Sequence, residues 1–557
     1  MNDFFKTILW FAYIGADWIA IVTLGKLSGS HVESTATNVL RAYWAPLLLV
    51  HLGGPDTITA CTFEDNKLWI RHLISLLVKV FFVIYVICMS WTFSWLSFFT
   101  LPLILAGIIK YVEKILCLKL SNSQKTKPLI SNMFNLQSHS DLNENQTLDR
   151  LQKENPTVLS AYLFFTIMRP DVNDYLSSEN LSDVGTRIKA YLRETTGIDG
   201  RRAFQFADKY LALSLGKDVF EIIFIQLGFM FDAAYTKASL IHTKLGCFLR
   251  LASSTSFFSV LLLFFIDIIK KPKFHGSRID IAITGFLLSG AIAQEFYATW
   301  VIHSSDWAVL VAEFHHNVLV RKVFKITSKY FPRLLRQSRR WSNQMGQFDL
   351  LAYCWRCKKR KANQSHGFLP KITIGNEIAE MWHKYCIIIW HLATIVCYLQ
   401  EDNHDGENME ISKCASDYMM YLLAMCPALL LSGYGESFWL VHAYDNLKGL
   451  LPPAIDIRNA ASKLFSNPDN AHEEELESRE ITFENLKGEV LKLVTILKQL
   501  DNKWEMLRDV WIEMLLYAAV SSRYINHVKL LGEGIELFSL IWLLAGTSVL
   551  SSVFQME

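Results

Sequence analysis

Long apolar runs separated by very short polar breaks dominate the N-terminal half of the chain. Leu73–Trp91 and Phe93–Ile109 follow each other almost directly, and Phe248–Ile269 and Ile279–His303 form a second such pair. About 20 apolar residues suffice for a helix to cross the hydrocarbon core of a bilayer, so each pair predicts a transmembrane hairpin. Ile8–Leu24 is also apolar, and it lacks the basic start and small-residue cleavage site of a signal peptide, which predicts a retained span.

Shorter apolar runs predict other kinds of helix. Arg41–Leu52 is too short for a full crossing and predicts a segment, 41–56, that enters the membrane and returns. Ile387–Leu399 and Tyr418–Leu431 have the length of buried helices in a soluble domain. Gly534–Phe554 approaches spanning length but contains Glu536 and several Ser and Thr residues, so both a span and a buried helix stay open.

Basic residues near the predicted spans indicate which parts face the cytosol. They follow the fourth apolar run at Lys110, Lys114, Lys119, Lys125 and Lys127, and they follow the last predicted span throughout 321–340. The short basic loop 270–278 opposes this orientation, and the two larger groups outweigh it. The predicted organisation is a membrane region 1–110 with three spans, a flexible linker 111–160, a cytosolic helical region 161–247, a transmembrane hairpin 248–303, a cytosolic helical domain 304–452, an acidic linker 453–480 and a C-terminal helical bundle 481–557.

A regular apolar seam lies near the C-terminus. Its residues are spaced alternately by four and three: Leu486, Val490, Leu493, Leu497, Leu500, Trp504, Leu507, Trp511, Met514 and Ala518. This spacing predicts a continuous helix that buries one stripe against a partner helix. The partner is either another helix of the same chain or a second copy, and the two tryptophans favour an intramolecular bundle because they are large for a two-stranded seam.

Composition supports the membrane assignment. Charged residues make up only 19% of the 557 residues and hydrophobic residues 51%, whereas soluble domains carry roughly 25% charged residues. The net charge of +2 indicates no nucleic-acid partner. The ten cysteines are scattered, and several lie in apolar helical runs, which predicts reduced thiols rather than a disulfide framework.

The stretch "HLGGPDTITACTFEDN", residues 51–66, places polar residues between two apolar runs. Its glycines and proline predict a turn, and Thr62 followed by Asp65 predicts the capping of the next helix. The alternative is a re-entrant loop in which the oxygens of Asp56, Thr57 and Thr59 line a polar cavity, because irregular backbone at membrane depth requires such a cavity or a cover of protein.

Asp17, Lys79 and Glu295 lie inside predicted spans. Charges in a membrane are costly and point to function by default. The competing interpretation is a structural ion pair between helices, for example of Lys79 with Asp17 or Glu295, which would remove most of the cost.

Other polar groups predict no catalytic or metal site. The C-x-x-C motif at Cys354 and Cys357 lacks the further ligands that a zinc site needs, and His391 lies on an apolar run that is typical of a hydrogen-bonded core histidine. His391 and Asp417 are the weak candidates for an enzyme, and no cofactor motif is present. A basic group is expected to contact anionic lipid head groups: Arg333, Arg336, Arg339 and Arg340.

The motifs "WAPLLLVHLGGPDTITA" and "EDNKLWIRHL" resemble those of a large plant membrane family known as domain of unknown function 4220, usually paired with domain of unknown function 594 at the C-terminus. Further matching motifs run along the whole chain: "LGFMFDAAYTKA", "SSDWAVL", "MGQFDLLAYC", "WHLATIVCY", "SDYMMYLLAMCP", "KWEMLRDVWIEMLLYAA" and "NHVKLLGEGIELFSLIWLL". The resemblance implies a plant membrane protein and assigns no reaction.

The sequence thus predicts an all-α fold of polytopic transmembrane helices, cytosolic helical domains and a C-terminal helix bundle. The leading functional hypothesis is a non-enzymatic interaction or signalling platform that contacts membrane lipid and has a protein partner, or self-associates, through the 486–518 helix. The alternative is an ion or small-solute channel or transporter that uses the intramembrane acids.

Overall fold

A computed structural model of the chain gives an α-helical fold, with no strand among the residues that it describes. These are 18–27, 43–54, 59–60, 62–91, 95–122, 155–168, 217–241, 244–270, 278–314, 345–360, 379–401, 406–426, 451, 456–465, 483–555 and a few single positions. The chain divides into two compact units. Unit 1 comprises Met1–Ser342, Val528–Glu536 and Gly546–Glu557, and unit 2 comprises Asn343–His527 and Leu537–Ala545.

Unit 1 is built on long helices. After the apolar helical stretch Trp18–Leu27, they are α1 (Trp44–Leu52), α2 (Phe63–Lys67), α3 (Trp69–Met89), α4 (Trp95–Asn122), α5 (Pro156–Ile167), α6 (Lys217–Tyr235), α7 (Ala238–Ile241), α8 (Lys244–Lys270), α9 (Arg278–Ser304) and α10 (Asp306–Phe314). Helix α4 continues twelve residues beyond the predicted end of the N-terminal membrane region, into the segment predicted as a linker. Residues 123–154 of that linker lie outside the described residues. Its last five residues form the start of α5, so the prediction of a flexible linker is wrong at both ends.

Helix α1 lies at the centre of the unit 1 core. Leu47 and Val50 pack with Leu103 of α4, Phe257 of α8 and Leu288 of α9. On another side, Leu49 and Leu52 pack against α3 and α4. The predicted re-entrant segment therefore contains a buried helix that four longer helices surround.

Helix α3 carries polar side chains on its buried face and apolar side chains on its exposed face, unlike a typical surface helix of a soluble protein. Its buried stripe contains the polar side chains of His72 and Lys79 alongside Leu76 and Val83, at alternating spacings of four and three. Its outer face is apolar, with Leu77 62% and Phe81 67% exposed. Among the described helices, α3 is the one whose length and apolar composition suffice for crossing a membrane, and only a third of its most apolar window is buried.

Unit 2 contains α11 (Leu350–Arg360), α12 (Ala379–Gln400), α13 (Glu407–Met425), α14 (Ile457–Leu464), α15 (Phe483–Lys498) and α16 (Lys503–Ser521). Helices α17 (Tyr524–Glu533) and α18 (Glu536–Gln555) follow, and residues of both units lie on them. Ile388, Leu392 and Val396 of α12 and Met420 of α13 are buried. The prediction of buried helices in these two runs is therefore confirmed over the described residues.

The predicted C-terminal seam forms two helices rather than one. Helix α15 ends at Lys498 and α16 begins at Lys503, with a turn between them. The spacing hid this break because four turn residues continue the same heptad count. Six of the ten seam residues are buried, namely Leu486, Val490, Leu497, Leu507, Trp511 and Ala518, and Val494 and Leu515 join them.

The partners of the seam are helices of the same chain. Helix α15 packs on α12, and α16 packs on α13. The Nε1–H group of Trp511 donates a hydrogen bond to Oγ1 of Thr394 at 3.1 Å, and Oγ of Ser412 donates to the carbonyl of Trp504 at 3.1 Å. The prediction of an intramolecular bundle is confirmed by these contacts.

Candidate functional site

The two glycines of the 51–66 stretch have separate structural roles. A Cβ atom on Gly53 would lie 2.6 Å from Cβ of Lys110, so only glycine allows α1 to end this close to α4. Gly54 has a φ of 71°, a conformation that glycine adopts without steric cost. The backbone N–H of Thr62 donates to Oδ2 of Asp65 at 3.0 Å, which is the predicted capping interaction. In the described part of the stretch, α1 therefore ends in a turn and α2 begins at a cap.

Side chains after this turn bind the C-terminal end of α6. The backbone N–H and Oγ1 of Thr59 donate to the carbonyl of Tyr235 at 2.8 and 3.0 Å. Nδ2 of Asn66 donates to the carbonyl of Ala234 at 3.1 Å, and Oγ of Ser121 donates to that of Ala233 at 3.0 Å. The last carbonyls of a helix have no partner within the helix, so the three side chains satisfy groups that would otherwise be buried without hydrogen bonds.

This arrangement identifies the role of one predicted site residue. Thr59 is fully buried, and its hydroxyl is used by α6, which fits the turn-and-cap interpretation of the stretch. Asp17, Asp56 and Thr57 lie outside the described residues, as do all four arginines expected at lipid head groups: Arg333, Arg336, Arg339 and Arg340.

Two residues of α17, Val528 and Lys529, also contact this end of α6 and the start of α2. The hydroxyl of Tyr235 donates to the carbonyl of Val528 at 3.1 Å. The carboxylate of Glu64 pairs with Lys529 at 2.8 Å and with Lys67 at 2.6 Å, and its hydrogen bonds to these lysines hold its pKa below the usual value. We call the region formed by Thr59, Glu64, Asn66, Ser121, the end of α6 (233–235) and 528–529 the unit 1 junction.

Asp232 lies beside this junction and was not identified from the sequence. Nε1 of Trp307 donates to its Oδ2 at 3.2 Å. Desolvation is the largest cause that raises the pKa of Asp232 to about 7, and the negative charge of Asp306 is the second. By accessible area the residue as a whole is partly exposed, although protein surrounds its carboxyl. The only sequence signal was that Asp232 and Trp307 each lie in a family motif.

Glu295 forms two ion pairs inside unit 1. Its carboxylate contacts Lys110 of α4 and lies 3.2 Å from Nη2 of Arg250 of α8, and Glu295 and Lys110 are each 3% exposed. The suggested pairing of Glu295 with Lys79 is therefore wrong. Nζ of Lys79 instead lies 3.3 Å from the hydroxyl of Tyr111 and 5.2 Å from the centre of its ring. The sequence did not reveal the partners of Glu295 because only charges inside the predicted spans were considered for pairing. Lys110 and Arg250 lie at or near the ends of those spans.

A second polar cluster, the unit 2 junction, consists of Asp349, His391, Lys413, Ser416 and Asp417. Oδ1 of Asp349 accepts from the N–H of Ala352 at 2.8 Å, as a helix N-cap residue does. Nε2 of His391 accepts from the N–H of Leu350 at 3.2 Å, and Nδ1 lies 2.9 Å from Oγ of Ser416. Because Nε2 is an acceptor, the neutral ring carries its proton on Nδ1 and donates to Ser416.

This geometry gives His391 a structural task. A histidine that activates a serine must accept the proton of the hydroxyl, whereas here the assigned tautomer donates to Ser416. Desolvation is the main cause that lowers the pKa of His391 to about 4, so the ring is neutral at physiological pH. His391 is fully buried, and the prediction of a hydrogen-bonded core histidine is confirmed.

The carboxylates of the unit 2 junction share one lysine. Nζ of Lys413 lies 2.5 Å from Oδ2 of Asp417 and 3.3 Å from Oδ2 of Asp349. Asp417 also lies 4.0 Å from Nδ1 of His391, and burial raises its pKa above the usual value despite the lysine. The junction therefore joins three distant stretches of chain, 349–350, 391 and 413–417, by polar contacts.

No group of three or more His, Cys, Asp or Glu side chains within the described part of the chain could hold a metal ion. Seven cysteines there form no disulfide bond: Cys88, Cys117, Cys354, Cys386, Cys397, Cys414 and Cys426.

The comparisons with known proteins identify two families. The family described as "Domain of unknown function (DUF4220)" matches residues 10–354, and the family described as "Protein of unknown function, DUF594" matches residues 497–546. No curated protein and no solved structure matches the chain. Since the first match covers more than half of the sequence, the chain belongs to the DUF4220 family.

Proposed function

We propose that the protein is a polytopic integral membrane protein whose remaining helical mass lies in the cytosol and serves as a non-enzymatic interaction or signalling platform. The observation that supports the membrane location is the distribution of side chains on α3, where His72 and Lys79 point inward and Leu77 and Phe81 outward. In water this arrangement exposes apolar area while burying polar groups. In a bilayer both choices are favourable, because lipid covers the apolar face and protein pairs the polar groups.

Helices α8 and α9 support more than one crossing. Phe248 of α8 is 68% exposed and Phe286 and Phe296 of α9 are 78% and 68% exposed. On the inner side of α9, Thr284 accepts a hydrogen bond from Nε1 of Trp44 at 2.9 Å, and Glu295 forms its two ion pairs. The same pattern of apolar outer and polar inner side chains therefore recurs on both helices.

The cytosolic orientation rests on the basic residues that flank the spans. Lys110 and Lys114 are buried in unit 1, so they count less than a free lysine would. The cytosolic orientation therefore depends mainly on Lys119 and the basic segment 321–340. Lipid contact through that segment and the plant origin implied by the resemblance both stay predictions.

The platform role rests on how the polar residues are used. In unit 2, His391, Asp417 and Lys413 bind one another or backbone groups across three chain segments. In unit 1, Thr59 and Asn66 bind the end of α6. These contacts hold helices together, and they favour a scaffold over a reaction centre.

The alternative of an ion or small-solute channel requires an intramembrane acid that faces an aqueous path. The two cations that contact Glu295 favour a structural pair instead. Flux through reconstituted protein would separate the two functions, because the platform predicts none in the wild type.

The membrane proposal is tested by extraction of cell membranes with alkaline carbonate. The wild type is expected in the pellet, and a Leu77→Arg, Phe81→Arg double variant should reach the membrane pellet in a lower amount, since an arginine near the centre of a helix costs about 3 kcal/mol on insertion. Ile496→Arg, at an exposed apolar position of α15 (56% exposed), is the matched control and should stay in the pellet. Full-length protein that is folded and monodisperse in a detergent-free supernatant would overturn the proposal.

A further inference from the structure

The side of α16 that faces away from the bundle is also apolar. Ile512, Leu516 and Val520 are 49%, 40% and 51% exposed, and Tyr517 is 65% exposed. Residues four apart lie one above another on a helix, so these side chains form one continuous stripe. The opposite side of α16 is already buried in the bundle through Leu507, Trp511, Leu515 and Ala518.

Three acidic residues extend this stripe toward the start of the helix. Glu505, Asp509 and Glu513 are exposed and lie on the same side as the apolar residues. Arg508 contacts Asp509 at 2.7 Å and Glu505 at 3.9 Å, so one cation offsets part of this charge. We call these seven residues, 505, 509, 512, 513, 516, 517 and 520, the outer face of α16. Its net charge is negative, and its C-terminal half is apolar.

A helix that is apolar on both sides is expected to have partners on both sides. A second copy of the chain and a lipid surface both match the negative charge of the outer face of α16 poorly. A second copy in parallel would bring acidic residues against acidic residues, and an antiparallel copy would lay them on the apolar half. A lipid surface is disfavoured because helices that lie on membranes carry Lys and Arg around the apolar stripe rather than acids.

We propose that the outer face of α16 binds an amphipathic helix of a partner protein that carries lysine or arginine beside an apolar stripe. The apolar stripe of the partner covers Ile512, Leu516 and Val520, and its basic residues pair with Glu505, Asp509 and Glu513. This inference rests on the proposed platform function and names the class of partner that one of its surfaces takes.

The test uses the full-length protein in nanodiscs of zwitterionic lipid. The probe is an 18-residue leucine–lysine amphipathic peptide with a benzophenone group, and a leucine–glutamate peptide of the same pattern is the control. Photo-crosslinked residues are mapped by mass spectrometry. The expected result is that the basic peptide crosslinks within residues 505–520 and that the acidic peptide yields at least tenfold less product there.

Charge reversal supplies the decisive variant. Changing Glu505, Asp509 and Glu513 together to lysine should lower crosslinking of the basic peptide at least tenfold and raise that of the acidic peptide. Ile512→Ser with Leu516→Ser should weaken both peptides, whereas Ile496→Ser on α15 should change neither. All changed positions are exposed, and an unaltered melting curve confirms that each variant folds.

Three outcomes would overturn the docking proposal. The first is basic-peptide crosslinks that map outside residues 505–520, and the second is crosslinks there that the charge reversal leaves unchanged. The third, with the benzophenone placed at position 516 of the chain instead, is crosslinks to lipid or to a second copy that the basic peptide does not displace. Carbonate extraction of the same variants separates this failure from failure of the membrane proposal. Wild-type protein that stays in the membrane but yields no basic-peptide crosslink within residues 505–520 leaves the membrane assignment intact and removes only the docking surface.

Discussion

Replacement of Asp232 by asparagine should remove a pH-dependent loss of stability from the protein. Burial and the charge of Asp306 raise the pKa of this carboxyl from 3.8 to about 7 in the folded state. A raised pKa means that the folded protein binds this proton more tightly than the unfolded chain. The stabilising contribution of the protonated acid is therefore fully present below about pH 4 and is lost as the pH rises to about 7.

The magnitude follows from the size of the shift. About three pKa units correspond to roughly 4 kcal/mol, at 1.36 kcal/mol for each unit. Asp232 is partly exposed as a residue, which lowers the expected effect to about 2–4 kcal/mol. Asparagine keeps an oxygen that accepts the hydrogen bond from Trp307, so the variant changes mainly the charge.

The assay is urea unfolding of the full-length protein in detergent, followed by tryptophan fluorescence between pH 5 and pH 8. The free energy by which Asp232→Asn is more stable than the wild type should grow by about 2–3 kcal/mol from pH 5 to pH 8, because most of the titration lies within this range. Asp306→Asn should give part of the same gain, since it removes the second cause of the shift. A stability difference between Asp232→Asn and the wild type that is equal at pH 5 and pH 8 would refute the reasoning.

Other predictions concern the buried contacts. Glu295→Gln should destabilise unit 1 by about 3–5 kcal/mol in thermal unfolding, because it leaves Lys110 buried beside a neutral group, and addition of Lys110→Met should recover part of the loss; a double variant that is less stable than the single would contradict this. Thr59→Val should cost about 0.5–1.5 kcal/mol in the same assay, since the buried carbonyl of Tyr235 loses one of its two donors and keeps the backbone N–H of residue 59, and an unchanged midpoint would argue against the capping role. His391→Phe should destabilise the protein at pH 7 through loss of two hydrogen bonds. The loss should shrink as the pH falls from about 6.5 toward 4, because in this range the unfolded wild-type chain binds a proton on His391 that the folded protein does not; a loss that grows on acidification would count against a neutral ring.

The sequence was most informative where a residue acts on its neighbours along the chain. The turn at Gly53 and Gly54 and the cap at Thr62 were predicted from local turn chemistry. The buried stripe of α16 was predicted from its period, and the break before Lys503 was not, because a heptad count does not register a turn that keeps the spacing.

Contacts between distant segments could not be predicted in this way. Thr59 was identified as a candidate for a polar cavity, but its hydroxyl donates to the carbonyl of Tyr235. Every residue has a backbone carbonyl, so the sequence does not show which one accepts a hydrogen bond. Asp232 was missed because its pKa depends on burial and on Asp306, which approaches only in the folded chain. For Glu295, a buried partner was predicted correctly, whereas its identity required the packing of α4, α8 and α9.

The contacts of α6 impose an order on the maturation of the protein. Its last carbonyls are bonded by Thr59, Asn66 and Ser121, which leave the ribosome before α6 does. Tyr235 must then wait until Val528 has been synthesised before its hydroxyl gains an acceptor. The acceptor lies within the stretch that DUF594 matches, whereas Tyr235 lies within the DUF4220 match. A prematurely terminated chain would therefore present an incomplete N-terminal region, which gives a physical reason for the two families to occur in one polypeptide.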